Sequence, residues 1–271
     1  MKKLFKMALP LMCGMFVVSA CNGQKKEVKN AEETAEPAKI TWIEDKPGPS
    51  FQDHKIFPEV SDSLWEALGL QEGVPSSMSC VLLETEGKKI LVDAGLGAPF
   101  SQLLPKLAEA GIKPEDLKLI YITHLHQDHI GGLLNEGKVV FPNADVYINR
   151  VEAEAWKNMP EEKSAGARQV LEAYSAKLHE FEAGDTLQGG VVSMAAYGHT
   201  PGHTIFQKDS ILIIADLMHG AALQLEHPEY CPFYDMDPVE ATASRIRILE
   251  YARKNGLTMY GMHLPAPGFV K

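Results

Sequence analysis

Short apolar runs alternate with helical patterns between residues 78 and 254. Apolar runs bounded by polar turns are typical of buried strands, whereas apolar positions three and four apart are typical of helices. The predicted strands are Met78–Glu84, Lys89–Val92, Leu117–Thr123, Val146–Asn149, Val191–Ala196 and Ile211–Ile214. The predicted helices are Ser101–Ala110, Lys163–Leu178 and Val239–Lys254. This mixture predicts a layered α/β protein with helices outside its sheets, in which loops at strand ends carry the chemistry.

The N-terminal residues form a pattern of their own. Three lysines precede the apolar stretch 7–18, and Val18-Ser19-Ala20-Cys21 resembles the lipobox of bacterial lipoproteins. We therefore expect residues 1–20 to be a signal peptide and Cys21 to carry a lipid. The chain would then be exported and anchored to a bacterial membrane, on its periplasmic side or at the cell surface. An ordinary signal peptide or a short core helix is the alternative.

Polar and charged residues dominate the segment that follows. Residues 21–39 are therefore predicted to be a disordered tether, and residues 40–271 one folded domain. The formal net charge is −10, and it falls to −13 when the three lysines of residues 1–20 are removed. So acidic a chain argues against nucleic acid as a partner and against membrane contact other than through the lipid. The sequence leaves open whether the chain forms a homo-oligomer. It also leaves open whether Cys80 and Cys231 form a disulfide or remain two thiols.

A cluster of metal-ligand residues follows the predicted strand 117–123. His124, His126, Asp128 and His129 lie within six residues, and Gly131-Gly132 is predicted to turn the chain away after them. Imidazole and carboxylate groups suit zinc, manganese, iron or cobalt. On a loop, His124 and His126 can converge on one ion while Asp128 and His129 face a second. The alternative, a polar surface loop rich in histidine, does not explain this spacing.

The motif resembles that of the metallo-β-lactamase-fold hydrolases, and further landmarks follow in the order typical of that family. Leu91-Val92-Asp93-Ala94-Gly95 resembles the strand whose aspartate supports the metal loop. Gly198-His199-Thr200-Pro201-Gly202-His203 resembles the motif in which the first histidine is a ligand, and His203 is predicted to pack the turn. Asp216 and His263 match the last two ligands. The resemblance covers residues 78–268 and implies an αββα sandwich of two mixed sheets flanked by helices.

The resemblance also implies a ligand set for two divalent ions, most simply zinc, with manganese, iron or cobalt as alternatives. The first ion would be held by His124, His126 and His199. The second would be held by Asp128, His129 and His263, and Asp216 would bridge both. Two such ions lower the pKa of a bridging water and polarise the bond under attack, so no serine or cysteine nucleophile is needed. Asp128 and Asp216 are therefore catalytic as well as metal-binding candidates.

His219 is the third catalytic candidate, because it stands three residues after Asp216. Lactonases of the family typically have a tyrosine there, and a histidine resembles the branch that contains methyl parathion hydrolase. The residue is predicted to be an oxyanion donor, a proton shuttle or a pocket wall. Five aromatic residues are candidates for an apolar pocket, with the core as the alternative: Phe100, Trp156, Tyr230, Phe233 and Tyr234.

We therefore predict a hydrolase that attacks a small neutral lactone or ester, with phosphotriesterase activity as a side reaction. An iron-dependent dioxygenase acting on persulfides keeps a similar His and Asp pattern and is the main alternative. An antibiotic-hydrolysing β-lactamase is disfavoured, because those members usually have Cys or Ser at the position of Asp216. A non-catalytic, lipid-anchored metal carrier would need neither two open metal positions nor a bridging carboxylate.

Overall fold

The structure is a computed structural model that describes residues 36–271. The predicted signal peptide, Cys21 and most of the predicted tether lie outside these residues. The helices, in chain order, are α1 Asp62–Ala67, α2 Leu103–Glu109, α3 Gln127–Ile130, α4 Arg150–Asn158, α5 Glu161–Ala173, α6 Ala221–Gln224 and α7 Pro238–Asn255. The strands are β1 Lys39–Glu44, β2 Ser50–Gln52, β3 Val74–Ser76, β4 Ser79–Thr85, β5 Lys88–Val92, β6 Leu119–Tyr121, β7 Leu134–Asn135, β8 Lys138–Val139, β9 Asp145–Asn149, β10 Leu178–Phe181, β11 Thr186–Leu187, β12 Val191–Ala195, β13 Thr204–Lys208, β14 Ile211–Ile213, β15 Thr258–Tyr260 and β16 Phe269–Val270.

Two six-stranded mixed sheets contain most of these strands. The first has the order β1-β4-β5-β6-β9-β10, with parallel pairing from β5 to β10. The second has the order β11-β12-β13-β14-β15-β16, and its one parallel pair is β14 with β15. The remaining pairs, β2 with β3 and β7 with β8, form separate two-stranded ribbons. The parallel strands of the first sheet all end at the same edge, which places the loops after β5, β6 and β9 together.

A shared hydrophobic core joins the two sheets. Val81 and Leu83 of β4 pack there with Phe206 of β13 and Ile213 of β14. Leu82, between them, points to the opposite face and packs with the helices. Because side chains alternate along a strand, β4 buries both faces, which explains its continuous apolar run.

Helices cover the outer faces of both sheets. Leu103 and Leu107 of α2 and Val170 of α5 pack on the first sheet. Ile248 and Leu249 of α7 pack on the second sheet. The order of layers is therefore helix, sheet, sheet, helix, and the predicted αββα sandwich is confirmed.

Local signals explain several element ends. The side chain of Asp237 accepts hydrogen bonds from the backbone N–H groups of Val239 and Glu240 at the start of α7, as its position before Pro238 predicts. The helix predicted over 163–178 is wrong at its end, because α5 stops at Ala173 and Leu178 pairs with Val146 in the first sheet. Tertiary pairing overrides the helical pattern there.

Two further findings concern the described part of the chain. Cys80, which is buried, and Cys231, which is half-buried, are both free thiols, so the two are not joined to each other. Among residues 36–271, no helix combines the length and apolarity that a membrane crossing requires.

Candidate metal centre

The histidine motif lies on the turn from β6 into α3. His124 follows the strand, and His126 is the extended residue that precedes the first helical residue, Gln127. This change of backbone direction separates His124 and His126 from Asp128 and His129. Gly131 does not turn the chain sharply, because its backbone is helical, with φ −58°. It is needed for close approach instead, since a Cβ there would lie 2.0 Å from the carbonyl oxygen of Leu96.

The first cluster brings His124 and His126 of the histidine motif together with His199 and Asp216. His124 Nε2 and His126 Nδ1 are 3.0 Å apart, His126 Nδ1 and His199 Nε2 2.9 Å, and His199 Nε2 and His124 Nε2 3.2 Å. Asp216 Oδ2 lies 3.3 Å from His199 Nε2. Three ring nitrogens that converge on one point cannot all be satisfied by hydrogen bonds to each other. Ligands of a tetrahedral zinc ion are spaced by about 3.3 Å, so this spacing fits a metal.

The second cluster contains Asp128, His129, Asp216 and His263, with ligand atoms within 4.8 Å of one another. His263 Nε2 is 3.3 Å from Asp216 Oδ2 and 3.6 Å from Asp128 Oδ2. His129 Nε2 and Asp216 Oδ1 lie 3.0 Å apart without the geometry of a hydrogen bond, and neither atom has another partner. Asp216 thus belongs to both clusters, and the donor set fits two cations.

Charge supports the same conclusion. Burial and, after it, the neighbouring His199 lower the pKa of His126 to about 3. For His199 burial acts in the same direction, but hydrogen bonds to Asp216 and Asp235 outweigh it and raise its pKa to about 9. The pKa of His129 is also raised, because the nearby carboxylates outweigh burial. The buried carboxylates therefore demand positive charge, which protons or metal ions can supply.

Each cluster has groups that orient its rings. Asp93, predicted to support the metal loop, lies 2.7 Å from His129 Nδ1 and accepts hydrogen bonds from Thr123. His263 Nδ1 donates to the carbonyl oxygen of Ser77 at 2.9 Å, and His199 Nδ1 donates to Asp235 at 2.9 Å. Neither Ser77 nor Asp235 was found by sequence reasoning, because each lies far along the chain from its histidine and in no recognisable motif.

Glu152 of α4 was also missed, although it is fully buried. One oxygen accepts from the backbone N–H of Leu125 and from Trp156, and the other from Thr200 Oγ1 and the backbone N–H of Gly202. It therefore joins the loop of His124 and His126 to the loop of His199. The sequence offers no signal for this role, because a carboxylate in the first turn of a helix is equally common at exposed positions.

The loop of His199 also packs tightly on the start of α7. Gly198 has φ +118°, and a Cβ there would lie 2.1 Å from the backbone nitrogen of Ala241. We expect Gly198→Ala to destabilise the protein more than Gly111→Ala does, by about 1–3 kcal/mol. Gly111 also has positive φ but has no neighbour within 4 Å of the added Cβ. Urea unfolding of both variants measures the difference, and equal losses would mean that the loop can move away from α7.

An open cavity of about 420 Å³ lies beside the two clusters. It is lined by Gln52, Met78, Leu96, His126, Gln127, Asp128, His199, Asp216, His219, Tyr234 and His263. Of the five aromatic candidates, Tyr234 lines this cavity, whereas Trp156 is buried edge-on against His126 and Phe233 is 62% exposed.

His203 is buried and donates from Nδ1 to the carbonyl oxygen of Ala196, so it joins the two ends of the loop that contains His199.

Comparison with known proteins agrees with this centre. The family model described as the metallo-beta-lactamase superfamily matches residues 73–263. The N-acyl homoserine lactonase of Bacillus thuringiensis is 30% identical over 204 residues, which are 65% of this chain and 76% of that protein. The exodeoxyribonuclease WalJ of Streptococcus pneumoniae is 37% identical over 123 residues, 45% of this chain. The chain spans only 41% of that relative's length.

Solved structures give the same family. AidC, a dizinc quorum-quenching lactonase solved with the product N-hexanoyl-L-homoserine, superposes with a TM-score of 0.78 at 26% identity, covering 86% of this chain and 91% of that chain. The hydrolase AbOPH, of the beta lactamase superfamily, gives a TM-score of 0.76 at 29% identity, covering 87% and 90%. These relatives are hydrolases, as predicted. The chain belongs to the metallo-beta-lactamase superfamily.

Proposed function

We propose that the chain is a two-metal hydrolase that opens small neutral lactones or esters. The observation that carries the proposal is Asp216, a single buried carboxylate within reach of both clusters of ligands. The lactonase relative and the dizinc lactonase structure support lactones as the substrate class. An acidic chain, with a net charge of −10, favours a neutral substrate over a polyanion such as DNA.

The residues would divide their work as follows. His124, His126 and His199 would hold one ion, Asp128, His129 and His263 the other, and Asp216 both. Two divalent ions bound there, most simply zinc, would supply hydroxide from water at neutral pH and would polarise the carbonyl under attack. Asp128, with 25% of its side chain exposed at the cavity, would take up and release the proton of the attacking water. Met78, Leu96 and Tyr234 offer apolar surface to the rest of the substrate.

The contacts of His219 favour a supporting role over oxyanion donation. Its Nε2 lies 3.2 Å from Asp216 Oδ2, and because Asp216 is ionised, Nε2 must carry the proton. Its Nδ1 is buried without a partner, and the ring stacks on His263 at 4.8 Å. Burial lowers the pKa of His219 to about 4, so the ring is neutral at pH 7. We propose that His219 holds Asp216 and forms the cavity wall.

We expect His219→Phe to lower kcat by about 10-fold, because the hydrogen bond to Asp216 is lost while the aromatic wall is kept and the metal ligands are unchanged. Loss of an oxyanion donor would cost about 10²–10³-fold. Steady-state kinetics of the metal-loaded variant distinguishes these results, with metal content measured on the same sample. Phe233→Leu, at a ring that is 62% exposed and does not line the cavity, controls for a general effect of altered aromatic packing. A fall of 10²-fold with full metal content would show that His219 donates directly to the substrate.

The function is tested with metal-free protein that is reloaded with zinc, manganese or iron. We expect the zinc or manganese form to hydrolyse N-acyl homoserine lactones or aryl esters, and we include an aryl phosphotriester for the side activity. Oxygen consumption with a persulfide, seen only with iron, would contradict the proposal in favour of a dioxygenase. Release of nucleotides from DNA would place the chain with its exodeoxyribonuclease relative. Metal uptake with none of these reactions would favour a metal carrier.

A further inference from the structure

Residues 225–237, between α6 and α7, form one rim of the cavity and are called the rim segment. A buried arginine holds this segment by hydrogen bonds. Tyr234 on this rim segment lines the cavity. Arg245 of α7 is 1% exposed. Its Nε donates to the carbonyl oxygen of Leu217 at 2.7 Å, and its Nη1 donates to that of Pro228 at 2.7 Å. Arg245 therefore ties the residue after Asp216 to the start of the rim segment.

Another contact of Arg245 leads to a metal-ligand candidate. Its Nη2 donates to Asp235 Oδ2 at 2.9 Å, and Asp235 Oδ1 accepts from His199 Nδ1 at 2.9 Å. The side chain of Asp235 is fully buried. Asp235 therefore accepts a hydrogen bond on each of its two oxygens and links Arg245 to His199 in a buried chain.

This chain determines which nitrogen of His199 faces the metal centre. Asp235 holds a proton on Nδ1, so Nε2 is the nitrogen at which a metal would replace a proton, and Nε2 lies 2.9 Å from His126 Nδ1. Backbone bonds reinforce the attachment, since the N–H of Met236 donates to the carbonyl oxygen of His199 at 3.1 Å. Groups that fix the tautomer and angle of a ligating imidazole typically change metal affinity by about 10–100-fold when they are removed.

We infer that Asp235 and Arg245 are a positioning pair: Asp235 orients His199 as a ligand of the first metal, and Arg245 fixes Asp235 and joins it to the segments that carry Asp216 and Tyr234. The inference rests on the proposed two-metal function. The alternative hypothesis is that Asp235 and Arg245 are a buried ion pair that only stabilises the fold. The positioning hypothesis predicts that a neutral substitution changes metal affinity, whereas the alternative predicts a change in stability alone.

The test compares Asp235→Asn with Asp237→Asn in the full chain. Both remove one negative charge from the same segment, but Asp237 caps α7 and does not contact His199 through its side chain. Zinc affinity is measured by competition with a chromophoric chelator, and the visible spectrum of the cobalt form reports on ligand geometry. We expect Asp235→Asn to lower the affinity for one of the two zinc ions by about 10–100-fold and to change the cobalt spectrum. The affinity for the second ion should be retained. Asp237→Asn is expected to match the natural chain in both.

A second variant separates positioning from stability. Asp235→Asn with Arg245→Met removes both buried charges, so it avoids leaving Arg245 uncompensated. We expect it to bind the first zinc as weakly as Asp235→Asn does. Recovery of natural zinc affinity in this double variant, natural affinity in Asp235→Asn itself, or failure of both variants to fold would overturn the inference. Because the assay measures metal and not turnover, a natural chain that binds two zinc ions but opens no lactone would contradict the proposed function alone.

Discussion

Asp216→Asn is expected to lower kcat/KM by about 10³-fold or more, which corresponds to about 4 kcal/mol of transition-state stabilisation. The asparagine keeps the shape of the side chain but has one oxygen and no charge, so it cannot serve both clusters. His199 and His263, which each lie 3.3 Å from Asp216 Oδ2, would lose their common partner. We therefore expect both metal ions to bind more weakly, as measured by metal content after dialysis and by kinetics with excess metal.

Two variants sharpen this test. Asp209→Asn makes the same change at an exposed turn between β13 and β14 and should leave metal content and rate unchanged. His263→Ala should weaken mainly the second ion, because His263 belongs to the cluster of Asp128 and His129. Two ions per chain in both Asp216→Asn and His263→Ala would show that the ligand assignment is wrong.

Glu152→Gln is expected to lower the free energy of unfolding of the metal-free protein by about 2–4 kcal/mol. The glutamine amide can accept through one atom, whereas the carboxylate accepts four hydrogen bonds through two. Thr200 can rotate its hydroxyl group, but the backbone N–H of Gly202 would face an amide donor. The loops of His124 and His199 would then separate, so the first metal should also bind more weakly. Urea unfolding and zinc competition measure the two effects.

Glu154→Gln is the matched control. Glu154 lies two residues further along α4, and 54% of its side chain is exposed. Among the described residues, its only charged partner is Arg150. Its cost should stay within about 0.5 kcal/mol. Equal stability of Glu152→Gln and Glu154→Gln would mean that the buried carboxylate does not hold the two loops together.

The two relatives reported above differ in what their names say they cleave, a lactone ring and DNA. The chain matches three quarters of the lactonase but two fifths of the exodeoxyribonuclease, so the likeness to the nuclease leaves most of that protein uncompared. The described cavity also contributes two carboxylates, Asp128 and Asp216, and no lysine or arginine. A DNA backbone would find no lysine or arginine side chain among these lining residues, whereas a neutral ester needs none.

The amino-acid sequence by itself predicted the class of fold and a metal-binding cluster from His124 to His129. Its signals were local: apolar runs for β4, β5 and β14, the cap at Asp237 for α7, and the spacing of His124 to His129. Short strands such as β13 and β15 escaped notice because each depends on pairing with its neighbours more than on its own pattern. The αββα order of layers came from the family resemblance, and so did the grouping of the metal ligands. Spacing along the chain cannot say which distant loops meet.

Only the tertiary structure decided what supports the site. Glu152, Asp235 and Ser77 contact the metal loops across 27, 36 and 186 residues of chain. An isolated Asp or Glu is usually a solvated surface residue, and nothing in its neighbours along the chain distinguishes it from one that is buried. Burial and partners exist only after the sheets pack, because a buried carboxylate is stable only where folding brings it hydrogen-bond donors or cations.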